Sequence, residues 1–527
     1  MSKKMERIGG FMRRWKFVLL GWFLCLVIAC MAPKVTQAAV NEDGSVTINE
    51  ENFPGNFFRE YVIENIDNDR DGILSQNELL DTKVISTGVG VPDLEVADYK
   101  GIEYFENLEV LEILKYSAQG NYYSEATVDV MLDLSQNTKL KRLTCEAAEL
   151  KLLGLSGLTQ LEYVNISCDN CLSQNLSKLS RLKHLEINMG ISNTDREPGS
   201  IILGDMPSLQ VLDVFAFMKA DIDFQKLPVL QEVHLGLLEL KEINLSGNQE
   251  LKSVELYGLI DIFSLQMHDC PKLKSVNIAG DSKDDNIPVV NLKNCPMLSD
   301  FYVTGTELTT VNLMDCPKLQ KAYMQWTAIS DSFRIIGGTE ITQLTVLGGT
   351  IRELNLKDLK KLSDLNLGGT IKKILLHKPN SIQKLTLNSG VKTFDFTPYT
   401  KLKNLQIKYA DVKKLDLRKN HKLKTVNCYW AQKLEKIQFS KKAKYRKVVI
   451  EKVPIKKIDI RKVKMEQLKC TNSKVQQLLA KGNNTITKLD VRNNQLTKLD
   501  LRGCKKLKMK NVLYTGNKKL TKKKIKK

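Results

Sequence analysis

A spacing of hydrophobic-x-x-hydrophobic-x-hydrophobic returns along most of this 527-residue chain, usually every 20 to 22 residues, and restricts the fold more than any other feature. It reads LEVLEI from Leu108, LKRLTC from Leu140, LEYVNI from Leu161, LKHLEI from Leu182, LQVLDV from Leu209 and LQEVHL from Leu230. It continues through LKSVEL from Leu251, LSDFYV from Leu298, LKNLQI from Leu402 and LKTVNC from Leu423 to a decayed LKMKNV at Leu507. The steps after Leu108, Leu182 and Leu273 are longer, so insertions there must loop out. The last two hydrophobics of each unit follow the two-residue alternation of a strand and face one side. One unit cannot bury that side alone, whereas stacked units join their strands into a parallel sheet over a continuous aliphatic core. A second motif lies half a period away, as in INLSGNQEL from Ile243, VNLKNCPML from Val290 and LDLRGCKKL from Leu499. Its Asn or Cys is expected at a return turn, Asn satisfying buried backbone groups and Cys filling the space as a small apolar residue.

The expected architecture is therefore an α/β solenoid, a curved array with one short parallel strand per ~21-residue repeat. Aromatic residues are only 7% of the chain, so their placement carries information. The third and fifth motif positions, and the residue after the sixth, should face away from the core on the concave sheet. Tyr163, His184, Phe215, His234, Tyr257, Tyr302, Tyr323 and Tyr429 occupy such positions. Tyr and His combine apolar area with a polar tip and suit a ligand-binding face. The same residues could instead stiffen the sheet by pairing across strands.

Before the repeats, Asp67-Asn68-Asp69-Arg70-Asp71-Gly72-Ile73-Leu74-Ser75-Gln76-Asn77-Glu78 matches D-x-D-x-D-G-x5-E, the EF-hand calcium loop. Ca²⁺ takes six to eight oxygens. Asp67, Asp69 and Asp71 would give carboxylates, Ile73 its backbone carbonyl, Ser75 a hydroxyl or a bridging water, and Glu78 two oxygens. Apolar residues at Phe57, Phe58, Tyr61, Val62 and Ile66 have helical spacing before the loop, and residues 76–85 suit an exit helix. A helix–loop–helix over residues 45–85 would cap the first leucine layer of an array spanning residues 86–512, with a basic tail at 513–527. The expected cofactor is Ca²⁺ in a structural role, because the paired second loop of calcium sensors is not evident.

The strand and return motifs, together with Gly101-Ile102-Glu103-Tyr104-Phe105-Glu106-Asn107-Leu108 at the start of the array, resemble the leucine-rich-repeat surface proteins of Gram-positive bacteria, internalin-like arrays in particular. The resemblance covers roughly residues 45–512 and implies secretion and binding of a protein or glycan through the concave sheet. The chain departs from internalins in showing no evident Ig-like module after the repeats and no wall-sorting motif.

Residues 1–39 read as an export signal: Lys3, Lys4, Arg7, Arg13, Arg14 and Lys16 precede an uncharged run over residues 17–32. Cleavage near Ala38, lipidation at Cys30 and an uncleaved anchor all place the remainder outside the cytoplasm, and contact with a membrane would come only through an anchored or lipidated N-terminus. Residues 401–527 hold 40 of the 80 Lys and Arg but 8 of the 60 Asp and Glu, a net +32 against −12 for the rest. Such asymmetry points to an anionic partner. For an exported chain that partner is expected to be an envelope polymer rather than nucleic acid; a solvated, solubilising face is the other reading.

Cys145, Cys428 and Cys470 fall at inward strand positions, and Cys270, Cys295, Cys316 and Cys504 at the return position, leaving only Cys168 and Cys171 for a turn or local disulfide. A single C-x-x-C lacks the second half of a zinc site. No H-E-x-x-H, G-x-S-x-G or phosphate-loop motif occurs, so no catalytic residue is assigned and an enzyme is not expected. The sequence reading is an exported recognition protein with a Lys-rich part held to the anionic envelope. The alternative is a structural wall-associated protein with no separate ligand.

Overall fold

The structure is a computed structural model that describes residues 40–88, 96–114, 128–171, 174–189, 199–259, 262–280, 287, 289–306, 310–325, 332–377 and 381–527. The export segment and the insertions expected after Leu108, Leu182 and Leu273 lie wholly or largely outside these residues. The chain divides into two compact units, residues 1–140 with 147–154, and residues 141–146 with 155–527.

In the first unit, helix α1 (Asn56–Asn65) buries Phe58 and Val62, one helical turn apart. Phe58 packs against Phe53, Tyr99 and Phe105, with ring centroids 6.1, 5.0 and 6.4 Å away. Gly55 precedes the helix because a Cβ there would lie 2.0 Å from the carbonyl oxygen of Asp98. Helix α2 (Gln76–Asp81) starts at a capping box, in which Ser75 accepts from the Glu78 N–H and the Glu78 carboxylate accepts from the Ser75 N–H. It ends four residues earlier than the sequence suggested. The Thr82 N–H and hydroxyl both donate to the Glu78 carbonyl, at 3.2 and 2.6 Å, and close the helix. Val84–Gly88 is instead a strand in parallel register with Val110–Leu114, which buries Ile85. Val96–Asp98, Asp129–Asp133 and Glu149–Leu153 form a second parallel sheet.

The second unit is a parallel-strand solenoid, and the described strands follow about 17 turns. One sheet runs unbroken from Arg142–Glu146 to Val512–Leu513. Its strands alternate as the motif requires: in Val211–Phe215, Leu212 and Val214 are buried while Val211, Asp213 and Phe215 are partly open. The return motif forms more than a turn. Glu242–Asn244, Ser264–His268, Val289–Lys293, Thr310–Met314, Ser332–Gly337, Thr350–Leu356 and Thr370–Leu376 pair in parallel as a second sheet. Residues 513–527, read as a tail, continue this pattern: Ile525–Lys526 pairs with Leu499–Asp500, and Asn517 and Leu520 are buried.

Asn and Cys after the return strands bind successive turns together. The side-chain amide of Asn420 donates to the carbonyls of Phe396 and Tyr399 at 2.9 and 3.0 Å, and that of Asn483 to Ile460 and Val463 at 2.7 and 3.0 Å. At the same station the thiols of Cys270, Cys295 and Cys504 donate to the carbonyls of Leu245, Met267 and Ala480 at 3.2 to 3.3 Å. Cys145, Cys428 and Cys470 are buried in the main sheet. Cys168 is buried at the end of Tyr163–Cys168, and the side chain of Cys171 lies outside the description.

Candidate functional site

The in-register parallel sheet sets side chains from successive turns one above another on its outer face, and the aromatic residues meet there. Tyr163 and His184 are register partners whose rings stack at 4.6 Å with 13° between planes. The Arg142 guanidinium lies 3.7 Å from the Tyr163 ring centroid and completes a cation–ring–ring column. Beside it, Asn165 donates to Glu186 at 3.0 Å. Tyr302 and Tyr323 are also register partners, 6.1 Å apart. The Tyr323 hydroxyl bonds to the Gln325 side chain, and Tyr302 is 45% exposed.

Phe215 and Tyr257 sit on strands two turns apart, yet their rings lie 5.7 Å from each other. Gly236 occupies the register position between them, and a Cβ there would lie 2.2 Å from the Phe215 ring. The missing side chain lets the two rings meet over bare backbone. His234 lies 3.1 Å from the Asp213 carboxylate, whose hydrogen bond raises the imidazole pKa against the opposing effect of burial.

Tyr429 stands at the end of its strand, 6.2 Å from Trp430. The sequence reading missed the set this pair belongs to. The residue after a main-sheet strand takes left-handed backbone at many turns, and Gly258, Gly305, Gly348 and Asn472 do so with little strain. At three consecutive turns the chain puts Tyr409, Trp430 and Lys452 there instead, at φ of 55°, 51° and 55°. Tyr409 and Trp430 stack at 5.4 Å and 18°, the Lys452 ammonium sits 4.9 Å from the Trp430 ring centroid, and Tyr409 is 57% exposed. The signal was an aromatic ring two residues past each of the motifs LKNLQI and LKTVNC, outside the six positions that define the strand.

The acidic loop is in the first unit. Ligating atoms of Asp67, Asp69 and Asp71 all lie within 4.8 Å of one another. Asp67 accepts from the Arg70 and Gly72 N–H groups at 2.8 and 3.1 Å, and Asp71 from the Ile73 N–H at 2.7 Å. Glu78 spans the loop, accepting from the Asn68 N–H at 2.7 Å and from the Ser75 N–H and hydroxyl at 2.9 and 2.7 Å. Burial opposes ionisation of Glu78, but these donors outweigh it and hold the carboxyl below its usual range. For Asp69 the balance runs the other way: the Asp71 N–H lowers its pKa, but desolvation and the charges of Asp71 and Glu78 raise it. Gly72 turns the loop at φ 80°. Ile73 and Leu74 pair antiparallel with Val46 and Thr47, so the loop strand finds its partner in the preceding segment rather than in a second acidic loop.

No family model matches the chain, and no curated protein matches it. Among solved structures it is similar to the functional domain of InlJ from Listeria monocytogenes, which includes a cysteine ladder, at 17% identity over 88% of this chain and 84% of that one, with a TM-score of 0.35. It is similar to an internalin, InlF, of the same organism at 14% identity over 74% of this chain and 97% of that one, with a TM-score of 0.28. A leucine-rich-repeat protein of Leptospira interrogans gives 13% identity over 81% and 96%, with a TM-score of 0.35. Among the described residues no helix is long and apolar enough to cross a membrane.

Proposed function

We propose that this chain is an exported recognition protein that binds a protein or glycan ligand through the outer face of its main sheet. The observation that carries the reading is the gathering of scarce aromatics on that face, as Tyr163 with His184, Phe215 with Tyr257, and Tyr302 with Tyr323. Rigid rings with polar tips give contact area at low conformational cost, and their exposure leaves that area free for a partner. Tyr409 and Trp430 extend the aromatic surface at the strand ends. In this reading the charged leader directs export, and the Lys-rich C-terminal part holds the protein to an anionic envelope polymer.

The loop at residues 67–78 is proposed as an EF-hand-type Ca²⁺ site that caps the array structurally. The donor set fits a hard cation: three carboxylates converge, and their mutual repulsion is what a divalent ion would relieve. Asp67, Asp69, Asp71, the Ile73 carbonyl, Ser75 and Glu78 would hold it.

The test is binding of residues 40–527 to panels of immobilised glycans and extracellular proteins, beside the double variant Tyr302→Ser/Tyr323→Ser. Each hit is expected to weaken at least about tenfold, roughly the loss of one good anchor, with an unchanged melting midpoint. Hits indifferent to both substitutions would remove the sheet face as the binding site and favour a purely structural role in the wall.

A further inference from the structure

We infer that the return side of the C-terminal turns is a binding groove for a linear phosphodiester polymer of polyol units. This rests on the reading that the Lys-rich part associates with an anionic envelope, and gives that association a place. A groove of about 890 Å³ is lined by Arg418, Lys436, Lys441, Lys457, Arg461 and Lys462, with only Glu435 and Asp459 of opposite sign. None of the four lysines makes an ion pair among the described residues, so their charge is available to a ligand.

Two features of the groove suit such a ligand. The first is its arginines. Arg418 donates through Nε and Nη2 to Asp416 at 2.9 and 2.7 Å, and Arg461 likewise to Asp459 at 3.0 and 2.7 Å. Each guanidinium is thus held flat by a bidentate clasp, while its remaining N–H groups stay unspent. Fixed planar donors suit the tetrahedral oxygens of a phosphate. The second is repetition. Lys414 is the register partner of Lys436, and Lys436 and Lys457 line the same groove. Lysines carried on successive turns match a ligand that repeats its charge along its length. An isolated phosphate would engage one turn only.

The test uses residues 40–527 and a soluble glycerol-phosphate polymer, titrated across a salt series. One variant carries Lys436→Gln, Lys441→Gln, Lys457→Gln and Lys462→Gln. A charge-matched control carries Lys403→Gln, Lys424→Gln, Lys447→Gln and Lys488→Gln. All eight lysines are exposed, so both variants should melt with the native protein. The groove variant is expected to lose about tenfold or more in affinity and to show a shallower dependence on salt, with the control within about threefold. Equal loss in both variants would overturn the groove while leaving electrostatic association with the envelope in place. No binding by the native protein would overturn both. Polyglutamate or single-stranded DNA bound as tightly, with the same dependence on the groove lysines, would overturn the assignment to a phosphodiester polyol.

Discussion

Asn420 and Cys295 occupy one station in different turns, and they show what a single side chain must do in a stacked fold. Each turn leaves return-turn carbonyls inside the protein, and Asn420 gives those of Phe396 and Tyr399 a second donor beside the Tyr399 and Leu402 N–H groups. Asn420→Leu keeps the volume but removes both of these bonds between turns, and should cost about 1–3 kcal/mol in urea unfolding. Cys295 bonds its neighbouring thiols as well as the Met267 carbonyl, and donating its proton toward the Cys270 sulfur is the largest effect pushing its pKa to about 12. Burial pushes Cys428 and Cys470 to about 12. These three thiols should resist iodoacetamide at pH 8 in the native protein and react in denaturant, as mass spectrometry would register. His234 gives a pH signature. Its folded pKa is raised, so the stability from its pair with Asp213 is complete below the unfolded value of about 6.5 and fades as pH rises through the folded pKa. Urea midpoints of native protein and His234→Gln should differ more at pH 5.5 than at pH 8.5.

Elements here draw their stability from neighbours, since a strand of five residues has little of its own. The strand Glu232–Gly236 ends on a glycine because the Phe215 ring covers it. Gly236→Val should displace that ring, separate Phe215 from Tyr257 and cost about 1–3 kcal/mol through overpacking. The melting midpoint would report the cost and a crystal structure the displaced ring. Helix α2 is short for the same reason that Val84–Gly88 is a strand: Ile85 is worth more in the core than on a helix end. The acidic loop is tied to both helices and to Val46–Thr47, so a bound ion would stabilise the whole first unit. If Ca²⁺ binds with a Kd of ~1 mM, raising it from zero to 10 mM should add about 1.4 kcal/mol. That increment should vanish in Asp67→Asn/Asp71→Asn; calorimetry that shows none in the native protein would remove Ca²⁺ from the loop.

Across the molecule, the repeat separates two chemistries that the sequence interleaves. Odd strand positions make the aromatic face, and the return side of the C-terminal turns carries Arg418, Arg461 and the groove lysines. Residues 401–527 carry a net charge of +32, which alone would give binding that collapses with salt. A charge-neutral ligand of the aromatic face should bind with little dependence on salt. Titrating both ligand types between 0.05 and 0.5 M NaCl, about a threefold change in Debye length, would separate the surfaces.

The sequence by itself determined the solenoid, its parallel strands, the inward leucines, the outward set from Tyr163 to Tyr429 and the acidic loop. Each follows from a local period or spacing, and alternation along a strand is a property of the backbone. What only the tertiary structure decided depends on register between turns. The stack of Tyr409 on Trp430 joins residues 21 positions apart, and Gly236 matters because a ring from the preceding turn covers it. The return motif reads as a turn in a single repeat and becomes a sheet only when the next repeat supplies its partner. Likewise the loop strand at Ile73 pairs with Val46–Thr47 through a contact that no spacing within the loop encodes. The physical reason is common to all of them. Intrinsic periodicity fixes which way a side chain points, whereas what it meets is set by neighbours that the stacking of turns brings close.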